Sequence, residues 1–174
     1  MNTRKLTTLA MLIAINVILS IITPVKVANF KFTFEAFPIL VAAFLFGPIE
    51  GLIVGVSGPL LYQVFFSGYG ITPTTLLWVL PHALSGLLAG SLARLRKSGP
   101  SYPDTVAICI ISAFTVTFFN ILALYVDSKL YGYYSKTLVF GNIILKVATG
   151  ILLAFVYSSI LPKLLAFLKR KIES

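Results

Sequence analysis

Six long apolar stretches, parted by short turns and flanked by cations, constrain this chain more than any other feature. They run from about Leu6 to Ile22, Phe32 to Phe46, Ile49 to Phe66, Thr74 to Ala93, Asp104 to Tyr125 and Leu138 to Leu161. About 20 apolar residues in a helix match the hydrocarbon core of a bilayer. Charged residues make up only 11% of the chain and hydrophobic ones 58%, with a mean hydropathy of +0.98. That leaves too little polar surface to cover a water-soluble globule. The fold class expected is therefore an all-α integral membrane protein, a six-transmembrane-helix bundle forming one domain over residues 1–174. The N-terminus lacks a small-residue cleavage site and reads as a first span rather than a removed signal.

The punctuation supports this division. Arg4 and Lys5 precede the first span, which stops before Pro24, and Gly47-Pro48 marks a turn after the second. The third opens on a GxxxG pair, Gly51 and Gly55, and carries Gly58-Pro59 at its middle, where a kink is expected. Arg94 to Pro103 reads as a polar linker, Val126 to Thr137 as a surface loop, and Pro162 as an interruption of the last span. Six spans place Arg4, Lys5, Arg94, Arg96, Lys97, Lys163, Lys169, Arg170 and Lys171 on one side. Only Lys26, Lys31, Lys129 and Lys136 fall on the other. The excess of cations assigns the first side, with both termini, to the cytoplasm. The net charge of +9 thus sits at segment ends, where orientation and anionic lipid explain it without nucleic acid. Cys109 is the single cysteine, so no disulfide framework exists within the chain.

Polar residues inside the spans are unevenly placed. Gln63, Trp78, His82, Asn120, Tyr125, Asn142 and Lys146 fall in the outer halves, whereas the inner halves, Asn16 excepted, are nearly free of large polar groups. Trp78 and His82 share a helix face at spacing four, as do Asn142 and Lys146. Each has a plain reading when taken singly. Trp78 can be an interfacial anchor, His82 a hydrogen-bonded bundle residue, Asn120 interhelical glue and Lys146 a snorkelling cation. Lone amides and ammonium groups are costly in hydrocarbon, so their concurrence on one side predicts an outward-facing polar pocket.

Catalytic signatures are missing: the sequence has no HExxH, GxSxG, Walker A or Cys/His metal cluster. No cofactor, metal or enzymatic activity is expected. An intramembrane enzyme built on His82 would need a second acid or base at matching depth. Glu35, Glu50, Asp104, Asp127 and Glu173 all lie near segment ends, and none is evident beside it. A binding subunit that borrows its energy from other proteins fits better, with a purely structural membrane subunit as a further alternative.

Three stretches carry a family resemblance: TRKLTTLAMLIA with its Ala10 and Ala14, FEAFPILVAAFLFGPIEGLIVG around Pro38, Gly47, Pro48 and Gly51, and TPTTLLWVLPHALSGLLAG. Across nearly its whole length the chain resembles the substrate-binding S components of energy-coupling factor (ECF) transporters, most closely the folate-type branch. The resemblance implies a bacterial plasma-membrane subunit that captures a vitamin, here folate, at the extracellular face. It implies docking through Ala10 and Ala14 onto a transmembrane coupling subunit driven by two cytoplasmic ATPase subunits. Riboflavin, thiamine, pantothenate or a similar heterocycle is the alternative ligand. The folate-type branch carries an arginine near the end of the first span. This chain reads LSIITPVKV there, with Lys26 as the nearest cation. On the folate reading Trp78 stacks on the pterin, while Asn120, Asn142 and Gln63 meet its edge. Lys146, Lys26 or Lys31 then meets the glutamate carboxylates, and His82 and Tyr125 complete the expected site.

Overall fold

A computed structural model describes residues 3–22, 25–27, 30–32, 34–95 and 99–173. Helix α1 (Thr3–Ile22) leads through a hairpin of two short antiparallel strands, β1 (Val25–Val27) and β2 (Phe30–Phe32), to α2 (Ala36–Phe46). Then come α3 (Pro48–Phe65), α4 (Thr75–Arg94), α5 (Tyr102–Leu130), the short α6 (Lys136–Phe140) and α7 (Ile143–Glu173). Of the expected cations, Arg96 and Lys97 lie outside the described residues. Lys26 and Lys31 are described in backbone only, paired across the hairpin.

Helices dominate, and among the described residues five are long and apolar enough to cross a membrane: α1, α3, α4, α5 and the stretch Lys136–Lys171. The second expected span is the exception. Its helix begins only at Ala36, and the 11 residues of α2 cover about 16 Å, roughly half the hydrocarbon thickness. Ile39, Leu40, Val41, Ala42 and Ala43 of α2 are nevertheless among the most deeply buried side chains.

Other boundaries differ for identifiable reasons. The expected linker ends early because α5 starts at Tyr102. Ser101 caps it by accepting from the Asp104 backbone N–H, Asp104 reciprocates, and Pro103 sits in the first turn. At its other end α5 runs on to Leu130, through what was expected to be a surface loop. Pro162 does not interrupt the last helix: α7 continues to Glu173. Leu161 is fully buried there, and Leu164, Leu165 and Leu168 pack on the core, so neighbouring helices hold the segment despite the missing N–H.

The tightest packing joins α3 to α4. A Cβ on Gly51 would lie 2.5 Å from the Gly86 carbonyl oxygen, and one on Gly90 would lie 2.5 Å from Pro48 Cα. Gly55 likewise has no room beside the His82 backbone. The corner between α2 and α3 turns at Gly47 with φ +113°, a region that disfavours side chains, and Arg94 donates to the Phe46 carbonyl across it. Lys5 pairs with Glu50 at the same end, tying α1 to α3.

Candidate functional site

Away from the Gly47 corner the helices diverge and leave a cavity of about 910 Å³, walled mainly by α3, α4, α5 and α7. Its lining on α5 extends from Cys109 to Asp127, about 27 Å along the helix. Five sequence-expected residues line it: Gln63, Trp78, His82, Asn120 and Lys146. Two do not. Tyr125 is exposed and stacks edge-on against Tyr134, their centroids 5.6 Å apart. Asn142 sits in the turn before α7, where its carbonyl accepts from the Lys146 N–H at 2.9 Å. The Lys26 side chain lies outside the described residues.

The mouth is held by an acid that the sequence reading left at a segment end. The Asp127 carboxylate accepts from Thr74 at the start of α4 and from the Tyr133 hydroxyl in the loop after α5. It thereby ties the α3–α4 loop to the α5–α6 loop. That α3–α4 loop turns through Gly68 and Gly70, at φ +83° and +65°, and is pinned by the Thr72 N–H donating to Thr75 Oγ1 at 2.8 Å. Burial, together with the hydrogen bond and charge of Asp127, pushes the Tyr133 phenol up from 10.0 to about 12.

The deep end is built around a second unexpected acid. Glu35 stands just before the short α2, so it lies about 18 Å along that helix from the Gly47 corner. Ser20 Oγ donates to Glu35 Oε2 at 2.7 Å, and His82 Nε2 lies 3.3 Å from Oε1. The Asn16 amide donates to the Glu35 carbonyl oxygen, which brings this residue into the same cluster. His82 therefore has the acidic neighbour that the sequence did not reveal. The cause is the half-length helix: a residue at the end of α2 is not at the end of the membrane. Tyr157 completes the floor, its ring 5.4 Å from Phe37 and 6.3 Å from Phe34. Ser85, Cys109 and Ser112 line the same region. No group of three or more metal-ligating side chains occurs among the described residues.

This is a deep, open-mouthed cavity lined by aromatic side chains and by charges of both signs, suited to holding a small polar molecule. The family model for the substrate-specific component of ECF transporters matches residues 4–168. The chain belongs to that family. It is an integral, multi-pass membrane protein, and the S component's fold recurs in solved structures. One is the S component of a bacterial ECF transporter, 29% identical, covering 95% of this chain and 97% of that one with a TM-score of 0.73. Another is the S component for biotin from an ECF-type ABC transporter, at 16% identity, 94% coverage of each chain and a TM-score of 0.71. A third is FolT bound with folic acid, at 19% identity, coverage of 90% and 89%, and a TM-score of 0.64. A search of the curated proteins finds no match to the sequence.

Proposed function

We propose that this S component captures a vitamin, folate foremost, from the outer side of a bacterial membrane and delivers it to a coupling subunit powered by two ATPases. The observation that carries the reading is the long cavity lined by Trp78, Gln63, Asn120 and Lys146. A flat pterin stacks on Trp78, the two amides meet polar atoms along the ligand, and Lys146 meets the glutamate carboxylates. FolT bound with folic acid shares the fold, which supports folate as a candidate. The cation asymmetry supports a six-span topology with cytoplasmic termini, α2 forming the inner half of the second passage. Ala10 and Ala14 are exposed on α1, whereas Leu9, Leu12 and Asn16 are buried. This supports the alanine pair as a docking face for the coupling subunit.

A second reading has its own observation. Glu35 and Asp127 both line the cavity, which favours a cationic heterocycle such as thiamine. Mass spectrometry of ligand retained through purification, followed by titration of folate, pteroate and thiamine, decides between them. On the folate reading Lys146→Ala weakens folate selectively, because pteroate lacks the glutamate. Wild-type protein that binds thiamine and ignores folate replaces the first reading with the second.

A further inference from the structure

Four buried polar atoms lack a partner among the described residues, Asn16 Oδ1, His82 Nδ1, Ser112 Oγ and Tyr157 Oη, and the last three belong to residues that line the cavity. Those three residues are only 6%, 3% and 5% exposed. An unmade hydrogen bond at a buried polar group is costly, and three such groups lining one cavity from α4, α5 and α7 indicate a ligand that completes them. Their chemistry is complementary in a definite way. Glu35 beside Nε2 holds an imidazole proton there, which leaves Nδ1 to act as the acceptor. The Ser112 and Tyr157 hydroxyls each have a proton to donate.

We propose that this floor reads the edge of a cyclic amide or ureide, a ring N–H set beside a carbonyl oxygen. The N–H donates to His82 Nδ1, and the two hydroxyls donate to the carbonyl oxygen beside it, which has two lone pairs to accept them. Glu35 is then a positioning residue that acts through His82. The assignment rests on the vitamin-capture reading and specifies which end of the ligand enters first. Folate, riboflavin and biotin each carry such an edge, so the floor selects a chemical class, and the walls nearer the mouth choose within it.

The test compares two amide replacements at His82. In His82→Asn the side-chain oxygen falls near the place of Nδ1 but the Glu35 partner is lost. In His82→Gln the Glu35 partner is kept and the Nδ1 acceptor is lost. Wild type, both His82 variants, Tyr157→Phe and Ser112→Ala are titrated with folic acid, riboflavin and biotin, and the ligand-free proteins are melted in detergent. For whichever vitamin binds, Tyr157→Phe and Ser112→Ala should each weaken binding about tenfold. Their ligand-free melting temperatures should hold or rise, because each change deletes an unpaired buried hydroxyl. His82→Gln should bind more weakly than His82→Asn. Wild-type-like affinity in Tyr157→Phe and Ser112→Ala, or the reverse order at His82, overturns the assignment and leaves vitamin capture standing. With thiamine titrated alongside, wild-type protein that binds thiamine and none of the three overturns the assignment alone, and protein that binds none of the four overturns both.

Discussion

The two ends of α4 do opposite things with the same helix. Toward Arg94 its Gly86 and Gly90 let the backbone of α3 approach until no side chain fits between. Toward Thr74 it turns Trp78 and His82 onto a cavity. One end gains stability from contact and the other forgoes contact for binding. A membrane bundle lacks a strong hydrophobic drive between helices, so close backbone packing at one end can hold walls that stand apart at the other.

The comparison breaks most visibly at Gly86. Gly86→Leu forces a branched side chain into the Gly51 backbone, and we expect a loss of at least about 3 kcal/mol, read as collapse of the melting transition or of monodisperse yield. A variant that melts like wild type would show that the glycine contact is not what holds the walls. The small residues of α1 provide the contrast, because they face outward. Replacing Ala10 and Ala14 by Leu should leave melting and ligand affinity near wild type while abolishing uptake in cells. Joint loss of binding and uptake would place that stripe inside the bundle instead.

At the open end, Trp78→Ala should keep the fold and weaken the bound vitamin by on the order of 2–4 kcal/mol, roughly 30- to 1000-fold in Kd by calorimetry. An unchanged Kd would return Trp78 to the role of interfacial anchor. Asp127→Ala should have a smaller effect, since it removes two hydrogen bonds at the mouth of about 1 kcal/mol each. We expect ligand release roughly 5- to 30-fold faster in stopped-flow measurements, with the melting temperature little changed. The smallest effect concerns Tyr133. Its phenol ionises at about 12 instead of 10.0 while bonded to Asp127. The folded protein therefore holds that proton longer than the unfolded chain, and the contribution is complete below pH 10 and lost as pH rises toward 12. Spectrophotometric titration should show a tyrosine step near pH 12 that Tyr133→Phe removes.

Much of this was legible because depth can be read from sequence. Gln63, Trp78, His82, Asn120 and Lys146 were found by their distance from the cation-rich turns, and all five line the cavity. Depth gives no rotation about the helix axis, which is why Tyr125 and Asn142 were grouped with them. Rotation was available from spacing: Ser112, Val116, Asn120, Leu124 and Asp127 recur at three and four and share one face of α5. Lys146, Gly150, Leu153 and Tyr157 do the same on α7. Extending those stripes from Asn120 and Lys146 would have reached Asp127, Ser112 and Tyr157. Glu35 was harder to find, because an apolar window reports how long a segment is and not where its helix begins. The glycine contacts were half visible, since the GxxxG pair in α3 was evident but its partners on α4 were not.

The short α2 has a consequence for where binding sites in such bundles come from. Extending it by ten residues would add a cylinder about 10 Å across and 15 Å long, roughly 1,200 Å³. The cavity that opens beside its first residues, Glu35 and Ala36, measures about 910 Å³. The two volumes are of the same order. The chamber is in this sense subtractive: withholding half a helix from an otherwise filled membrane bundle leaves a hole of ligand size. The same omission places a carboxylate at the cavity floor, facing protein and cavity where it would be costly against lipid.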